Sequence, residues 1–296
     1  GAKYRLTAEK FMAPTKSWLS NTDLRISYGT TGNQEVGNTT IANGYYASSD
    51  LYGFQYKYNG IPGMALEQFG NPNLKWETTK KFNVGIDFML FDRVNVTMDY
   101  YDHQTSDMVF AVPVSFSTGL SSIYQNIGKL QNRGFEASVN AVVIKNKDLT
   151  WSLSWNGSTN KNKVKKLSTG NPIESTFQIT QVGYPINEFY MKEYAGVDPK
   201  TGEALWYQYA GDDKSTPDKD ESKITTTDYN KAAKRYMGDP NPKFLGSFST
   251  DLNAYGFDLN VQFNYSTGAK IYGNNLRYDE QTGSSFYENY INYVYD

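Results

Sequence analysis

Cysteine is absent from the sequence and histidine occurs once, at His103. The first absence excludes disulfides, zinc–thiolate centres and cysteine nucleophiles. The second leaves little room for a histidine-based metal site or a catalytic triad. No run of 18 apolar residues occurs, so the sequence contains no membrane-spanning helix. Charge of one sign is missing too: a formal net charge of −2 provides no global basic field for nucleic acid or anionic lipid. Glycine-rich nucleotide motifs and recognisably spaced catalytic carboxylate pairs are also absent, and no cofactor is implied. The sequence starts at Gly1 with neither an initiator Met nor a signal peptide, from which the beginning of the chain is expected to be missing.

What is abundant is aromatic: 16% of residues, most of them Tyr. Aromatic girdles at two membrane interfaces would account for this, and so would a sugar-binding surface. The dominant pattern is alternation with a period of two. Phe82, Val84, Ile86, Phe88 and Leu90 alternate with Lys81, Asn83, Gly85, Asp87 and Met89. Val94, Val96, Met98 and Tyr100 form a second apolar set, Phe135, Ala137, Val139 and Ala141 a third, and Leu149, Trp151, Leu153 and Trp155 a fourth. Phe257, Leu259, Val261, Phe263 and Tyr265 are the clearest of the late sets. Residues 244–252 alternate less cleanly, and Leu24, Ile26 and Tyr28 make a shorter version. No charged residue falls on any of these sets.

A soluble β-sandwich also alternates, but its strands cluster near 5–6 residues. Runs of about 9–11 residues suit tilted strands crossing a bilayer. The connections point the same way. Residues 91–93, 145–148 and 253–256 read as tight turns, whereas 30–75, 103–132 and 158–243 are long polar stretches. Short periplasmic turns and long external loops give a barrel this asymmetry. Trp76 and Tyr100 are then expected near the outer interface, and Phe88, Phe91 and Tyr255 near the inner one. Residues 2–7 read as a further strand, joined to 22–29 through a periplasmic segment with a helical turn. The expected fold is therefore all-β, a transmembrane antiparallel β-barrel. About eight strands are visible, enough to close a small barrel. Another long polar segment, 267–296, follows the last of them without a returning strand. Residues 1–296 are thus expected to be part of one larger barrel domain, truncated at both ends.

Several stretches carry a family resemblance. Asn71-Pro72-Asn73-Leu74-Lys75-Trp76-Glu77, and Asn126-Ile127-Gly128-Lys129 followed by Asn132-Arg133-Gly134-Phe135-Glu136, resemble the lead-ins to late barrel strands of TonB-dependent transporters. Glu9-Lys10-Phe11-Met12, the run Leu24 to Asn33, Asp99-Tyr100-Tyr101, Tyr194-Ala195-Gly196-Val197-Asp198-Pro199 and Gly238-Asp239-Pro240-Asn241-Pro242-Lys243-Phe244 resemble the SusC/RagA-like branch. Each motif is weak alone; the ordered set is specific. The resemblance implies a 22-stranded barrel in the bacterial outer membrane, filled by a plug domain that is not in this chain. It also implies a SusD-like surface lipoprotein as lid, energy from TonB–ExbB–ExbD, and import of a glycan or peptide. No enzymatic activity is implied. The rival readings are a passive outer-membrane porin and, from another class, a soluble adhesin or lectin. A plug and TonB-contacting segment would separate the importer from the porin, and detergent dependence would separate both from the adhesin.

Candidate sites are few. Tyr45, Tyr46, Tyr52, Phe54, Tyr56 and Tyr58 cluster in one expected loop. They suit either stacking on sugar faces or packing within the loop and against the lipoprotein. Polar residues on the alternate strand faces are expected to line the lumen or meet the plug. His103 lies close in sequence to Ser106 and Asp107, but nothing orders its imidazole, and we read it as a rim residue. The acidic run Asp212, Asp213, Asp218, Asp220 and Glu221 lacks calcium-loop spacing and is interleaved with lysine, as a solvated loop would be.

Overall fold

The computed structural model describes residues 1–34, 46–120, 122–167, 170–209 and 224–274. In chain order the strands are β1 (Ala2–Arg5), β2 (Leu19–Asn33), β3 (Leu51–Tyr58), β4 (Ile61–Gln68), β5 (Glu77–Leu90), β6 (Val94–Pro113), β7 (Ser122–Lys145) and β8 (Leu149–Leu167). They continue as β9 (Ile173–Glu174), β10 (Gln178–Thr180), β11 (Glu188–Lys192), β12 (Tyr194–Val197), β13 (Ala204–Tyr207), β14 (Thr225–Thr226), β15 (Lys234–Gly238), β16 (Phe244–Ala254) and β17 (Phe257–Thr267). Eight of them form one antiparallel sheet in the order β1-β2-β5-β6-β7-β8-β16-β17. These are the eight strands the alternation marks. Among the described residues the sheet does not close, because its edge strands β1 and β17 do not pair with each other.

The register puts every apolar set on one face. Leu24, Ile86, Met98, Ala137, Gly157, Gly246 and Tyr265 form one cross-strand row. The next row toward the tight turns is Thr22, Phe88, Val96, Val139, Trp155, Phe248 and Phe263. Many of these side chains are exposed, including Leu259 at 55% and Phe263 at 62%. Both indole N–H groups on β8 are nonetheless paired. The Trp155 Nε1–H donates to the Tyr265 hydroxyl at 2.7 Å, and the Trp151 Nε1–H to the Thr250 hydroxyl at 2.9 Å. Tyr265 reaches Trp155 across β16 only because Gly246 lies between them: a Cβ there would sit 2.4 Å from the Tyr265 hydroxyl.

Tight turns close one end of the sheet. Phe91 and Asp92 both adopt positive φ, as do Tyr255 and Gly256 in the two-residue loop between β16 and β17, the backbone sign that type I′ hairpins demand. Residues Leu6–Ala8 and Lys10–Thr15 form two 3-10 segments between β1 and β2. The segment read as a strand over 2–7 therefore ends at Arg5.

The opposite end departs from expectation. Strands of about 9–11 residues are expected, yet β6, β7 and β8 run for 20, 24 and 19 residues. Most of the stretch 103–132, expected as a loop, is a continuation of the β6–β7 hairpin, paired as far as Pro113 and Ser122. Backbone pairing does not require strict alternation, so the hairpin continues past the apolar band, with Val112, Ile127 and Leu130 buried along it. The stretch 30–75 holds the β3–β4 hairpin, whose Asn59-Gly60 loop again has positive φ at both residues. The stretch 158–243 holds a four-stranded sheet, β15-β11-β10-β9, and a three-stranded one, β12-β13-β14. A small core forms at this end, where Leu130, Val164 and Leu167 pack with Met108, Phe110, Ile173 and Ile186.

Candidate functional site

The polar face of the sheet concentrates charge. Asp23, 2% exposed, receives Lys3 Nζ at 2.8 Å and Arg5 Nε at 3.1 Å from the neighbouring strand. The Asn21 amide adds a bond at 3.0 Å. One position along, the Arg25 guanidinium meets Asp87 at 2.6 Å and Asp99 at 2.9 Å. The Thr97 hydroxyl also donates to Asp87, at 3.0 Å. Arg25 and Asp99 stand on β2 and β6, with β5 between them. The bond spans β5 because Gly85 occupies the register position between them: a Cβ there would lie 2.1 Å from the Asp99 carboxylate. Glu136 faces Asp99 directly across the β6–β7 pair. Beside these acids lies a depression of about 330 Å³, lined by Thr97, Asp99, Glu136, Ser138, Asn156 and Ser158. The wall therefore offers fixed charges of both signs with hydroxyls and amides between them, a surface suited to hydrated polar groups.

Toward the extended end, the wall meets aromatic clusters. Tyr184 and Tyr236 stack at 4.6 Å, Tyr190 tilts against Tyr236 at 5.1 Å, and the Tyr236 hydroxyl donates to Gln181. Trp206 contacts Tyr194 and Tyr229 edge-on, and Lys192 Nζ sits 3.7 Å above the Tyr229 ring. These clusters draw on residues up to about fifty positions apart in sequence; the pairing of β11 with β15 and of β12 with β13 brings Tyr190 to Tyr236 and Tyr194 to Trp206, while the Val164 N–H and Lys192 Nζ hold the backbone carbonyls of Tyr184 and Tyr229.

The tyrosine-rich loop is placed differently. Tyr52, Phe54, Tyr56 and Tyr58 lie on β3, and Tyr46 lies in the turn before it; all five are exposed. Tyr45 lies outside the described residues. No ring-to-ring contact joins these side chains among the described residues. The Tyr56 hydroxyl donates to Glu67 at 3.3 Å. Desolvation, followed by the nearby Glu67 carboxylate, pushes its phenol up from the ordinary range.

His103, Ser106 and Asp107 are not brought together. His103 Nε2 bonds the Asn83 side-chain oxygen at 3.1 Å, and the Ser106 hydroxyl donates to the Thr78 carbonyl at 3.3 Å. The acidic run 212–221 lies outside the described residues.

Two motifs read separately in the sequence form one unit. The Asn126 side chain accepts from the Lys75 N–H and donates to the Lys75 carbonyl, both at 2.8 Å. Asn71 donates to the Tyr124 carbonyl at 2.9 Å, and Glu77 accepts the Val109 N–H at 2.9 Å. Together they tie the lead-in to β5 against the β6–β7 hairpin, and Trp76 packs over Gly32 on β2.

A family model described as "TonB dependent receptor-like, beta-barrel" matches residues 1–290. The chain is similar to TonB-dependent receptor P3 of Formosa agariphila, 32% identical over 90% of this chain and 28% of that protein. It is also similar to the TonB-dependent receptor SusC of Bacteroides thetaiotaomicron, 32% identical over 64% of this chain and 20% of that one. Among solved structures, the RagAB peptide transporter superposes with a TM-score of 0.79 at 31% identity, covering 94% of this chain and 30% of that one. The chain thus spans under a third of the length of these relatives.

Proposed function

The chain belongs to the TonB-dependent receptor β-barrel family, with SusC- and RagA-type relatives, and from that premise we propose that it forms part of an outer-membrane importer of a glycan or peptide nutrient. The observation that carries this reading is the two-faced sheet. From the tight turns to the row of Tyr100 and Phe135, one face is largely apolar and free of charge over eight strands, as lipid demands. The other holds ion pairs, amides and hydroxyls, as a hydrated lumen demands. On this reading the tight turns face the periplasm, and the end carrying the small sheets faces outward. The eight strands are one portion of a larger barrel, in keeping with the greater length of the relatives. Energy comes from TonB–ExbB–ExbD, through a plug supplied by the rest of the protein. A SusD-like surface lipoprotein lids the barrel. The β3–β4 hairpin, with its exposed Tyr52, Phe54, Tyr56 and Tyr58, suits that contact, since aromatic residues are enriched at protein interfaces.

The test is uptake of radiolabelled substrate by cells carrying the full-length protein, with and without TonB, alongside co-purification of the lipoprotein. Uptake is expected only when both are present. Deleting residues 51–68 is expected to impair uptake or partner retention while the barrel still assembles, because external loops tolerate change better than strands. Uptake that persists unchanged without TonB would make the protein a passive channel.

A further inference from the structure

The net charge of −2 conceals a local segregation at the outer border of the apolar face. Two successive cross-strand rows lie just beyond the apolar band. The first is Tyr28, Phe82, Asp102, Arg133 and Lys161; the second is Thr30, Lys80, Gln104, Gln131 and Lys163. All of them share the parity of the apolar sets, so they face the same way as Ile86, Val96 and Val139. Four are cations and one, Asp102, is an anion. The Asp102 carboxylate is engaged by amides, at 2.7 Å from Gln131 and 3.4 Å from Gln104. Among the described residues, no ion pair engages Lys80, Arg133, Lys161 or Lys163.

The opposite face differs at the same level. Its row reads Lys81, His103, Asn132 and Asn162, with a single lysine. The cations are therefore sorted toward the apolar side. Directly beneath them the same face carries Tyr100 and Phe135, 39% and 46% exposed. Tyr28, Lys80, Phe82, Asp102 and Gln104 line a depression of about 270 Å³ there. From β5 to β8 the cations span three strand spacings, roughly 14 Å. Lys161 stands twelve residues along β8 from Leu149, which is ~29 Å of height at ~45° tilt against an apolar band of ~25 Å.

We propose that this surface docks the phosphate-bearing headgroups of an outer-leaflet glycolipid. The proposal rests on the reading of the apolar face as lipid-facing. Aromatic rings at the edge of a lipid band sit at headgroup level. Four cations just above them, against the single carboxylate of Asp102, complement a layer of lipid phosphates. Lysine stems cover apolar surface while their ammonium groups reach that layer, and the Arg133 fork matches two phosphate oxygens at once.

The experiment places the full-length protein in neutral phospholipid vesicles and measures retention of purified lipid A by native mass spectrometry. Phosphorylated lipid A is compared with its dephosphorylated form, and inorganic phosphate serves as competitor. Retention of the phosphorylated form is expected to exceed that of the dephosphorylated form. The triple variant Arg133→Gln, Lys161→Gln, Lys163→Gln is expected to weaken retention roughly 100-fold. Equal retention of both lipid forms by the unaltered protein would overturn the proposal, whatever the variant does. So would unchanged retention by the variant, or displacement by inorganic phosphate at equal concentration, which would mark a free-anion site. Heat-modifiable gel mobility is read in parallel. Its absence in the unaltered protein would overturn the lipid-facing reading itself, and its presence with equal retention would overturn the headgroup proposal alone.

Discussion

Val139→Arg probes the apolar face most directly. Val139 lies on β7 six residues from Lys145 at the turn, ~20 Å of strand and ~14 Å of height at ~45° tilt, close to the middle of a ~25 Å band. Its register neighbours are Val96 and Trp155, and no anion stands near it on that face. A guanidinium placed there lacks a partner and lies far from either headgroup layer. The expected cost is ~2–4 kcal/mol, which shifts the assembly equilibrium by roughly 30- to 700-fold. Asn140→Arg, one residue on, turns the same charge to the other face, between Asn95 and Ser154. It is expected to cost under about 1 kcal/mol in a hydrated lumen. Urea titration of the full-length protein in vesicles, read by heat-modifiable gel mobility, measures both. Equal losses for the two variants would refute the assignment of faces.

Arg25→Met should cost about 1–3 kcal/mol by stranding the Asp87 and Asp99 carboxylates, discounted because the cluster is partly exposed. Adding Asp87→Asn and Asp99→Asn should restore most of the urea midpoint; no recovery would assign the loss to packing instead. Gly246→Leu should destabilise by about 1–3 kcal/mol, because its Cβ would collide with the Tyr265 hydroxyl and part it from Trp155. A tryptophan emission spectrum identical to that of the unaltered protein would contradict this. With no native thiol to compete, Ser117→Cys should label from outside intact cells, and Asn146→Cys only after the outer membrane is opened. The reverse pattern would invert the topology.

The alternation of residues 81–90, 94–100, 135–141, 149–156 and 257–265 determined by itself that five strands of the large sheet run there and which face of each is apolar, but not the β3–β4 hairpin or the small sheets of 158–243. A face that meets lipid must be free of charge, and a strand alternates strictly, so the pattern is written locally. The aromatic content and the loop asymmetry were legible for the same reason. Strand ends beyond the band were not, because residues 103–113 and 122–132 pair through their backbones with shifts of register at Thr105 to Val109, and the apolar residues they carry pack into a small local core with β8 and the segments after it rather than alternating along one face. The polar wall was legible only as a class of residue. The register decided that Arg25 reaches both Asp87 and Asp99 over Gly85, that Asn126 binds the backbone of Lys75, and that Lys80, Arg133, Lys161 and Lys163 share one border. These residues stand far apart in the chain, and a local pattern sets the face each one occupies but not the neighbour it meets, which is fixed only when the strands align.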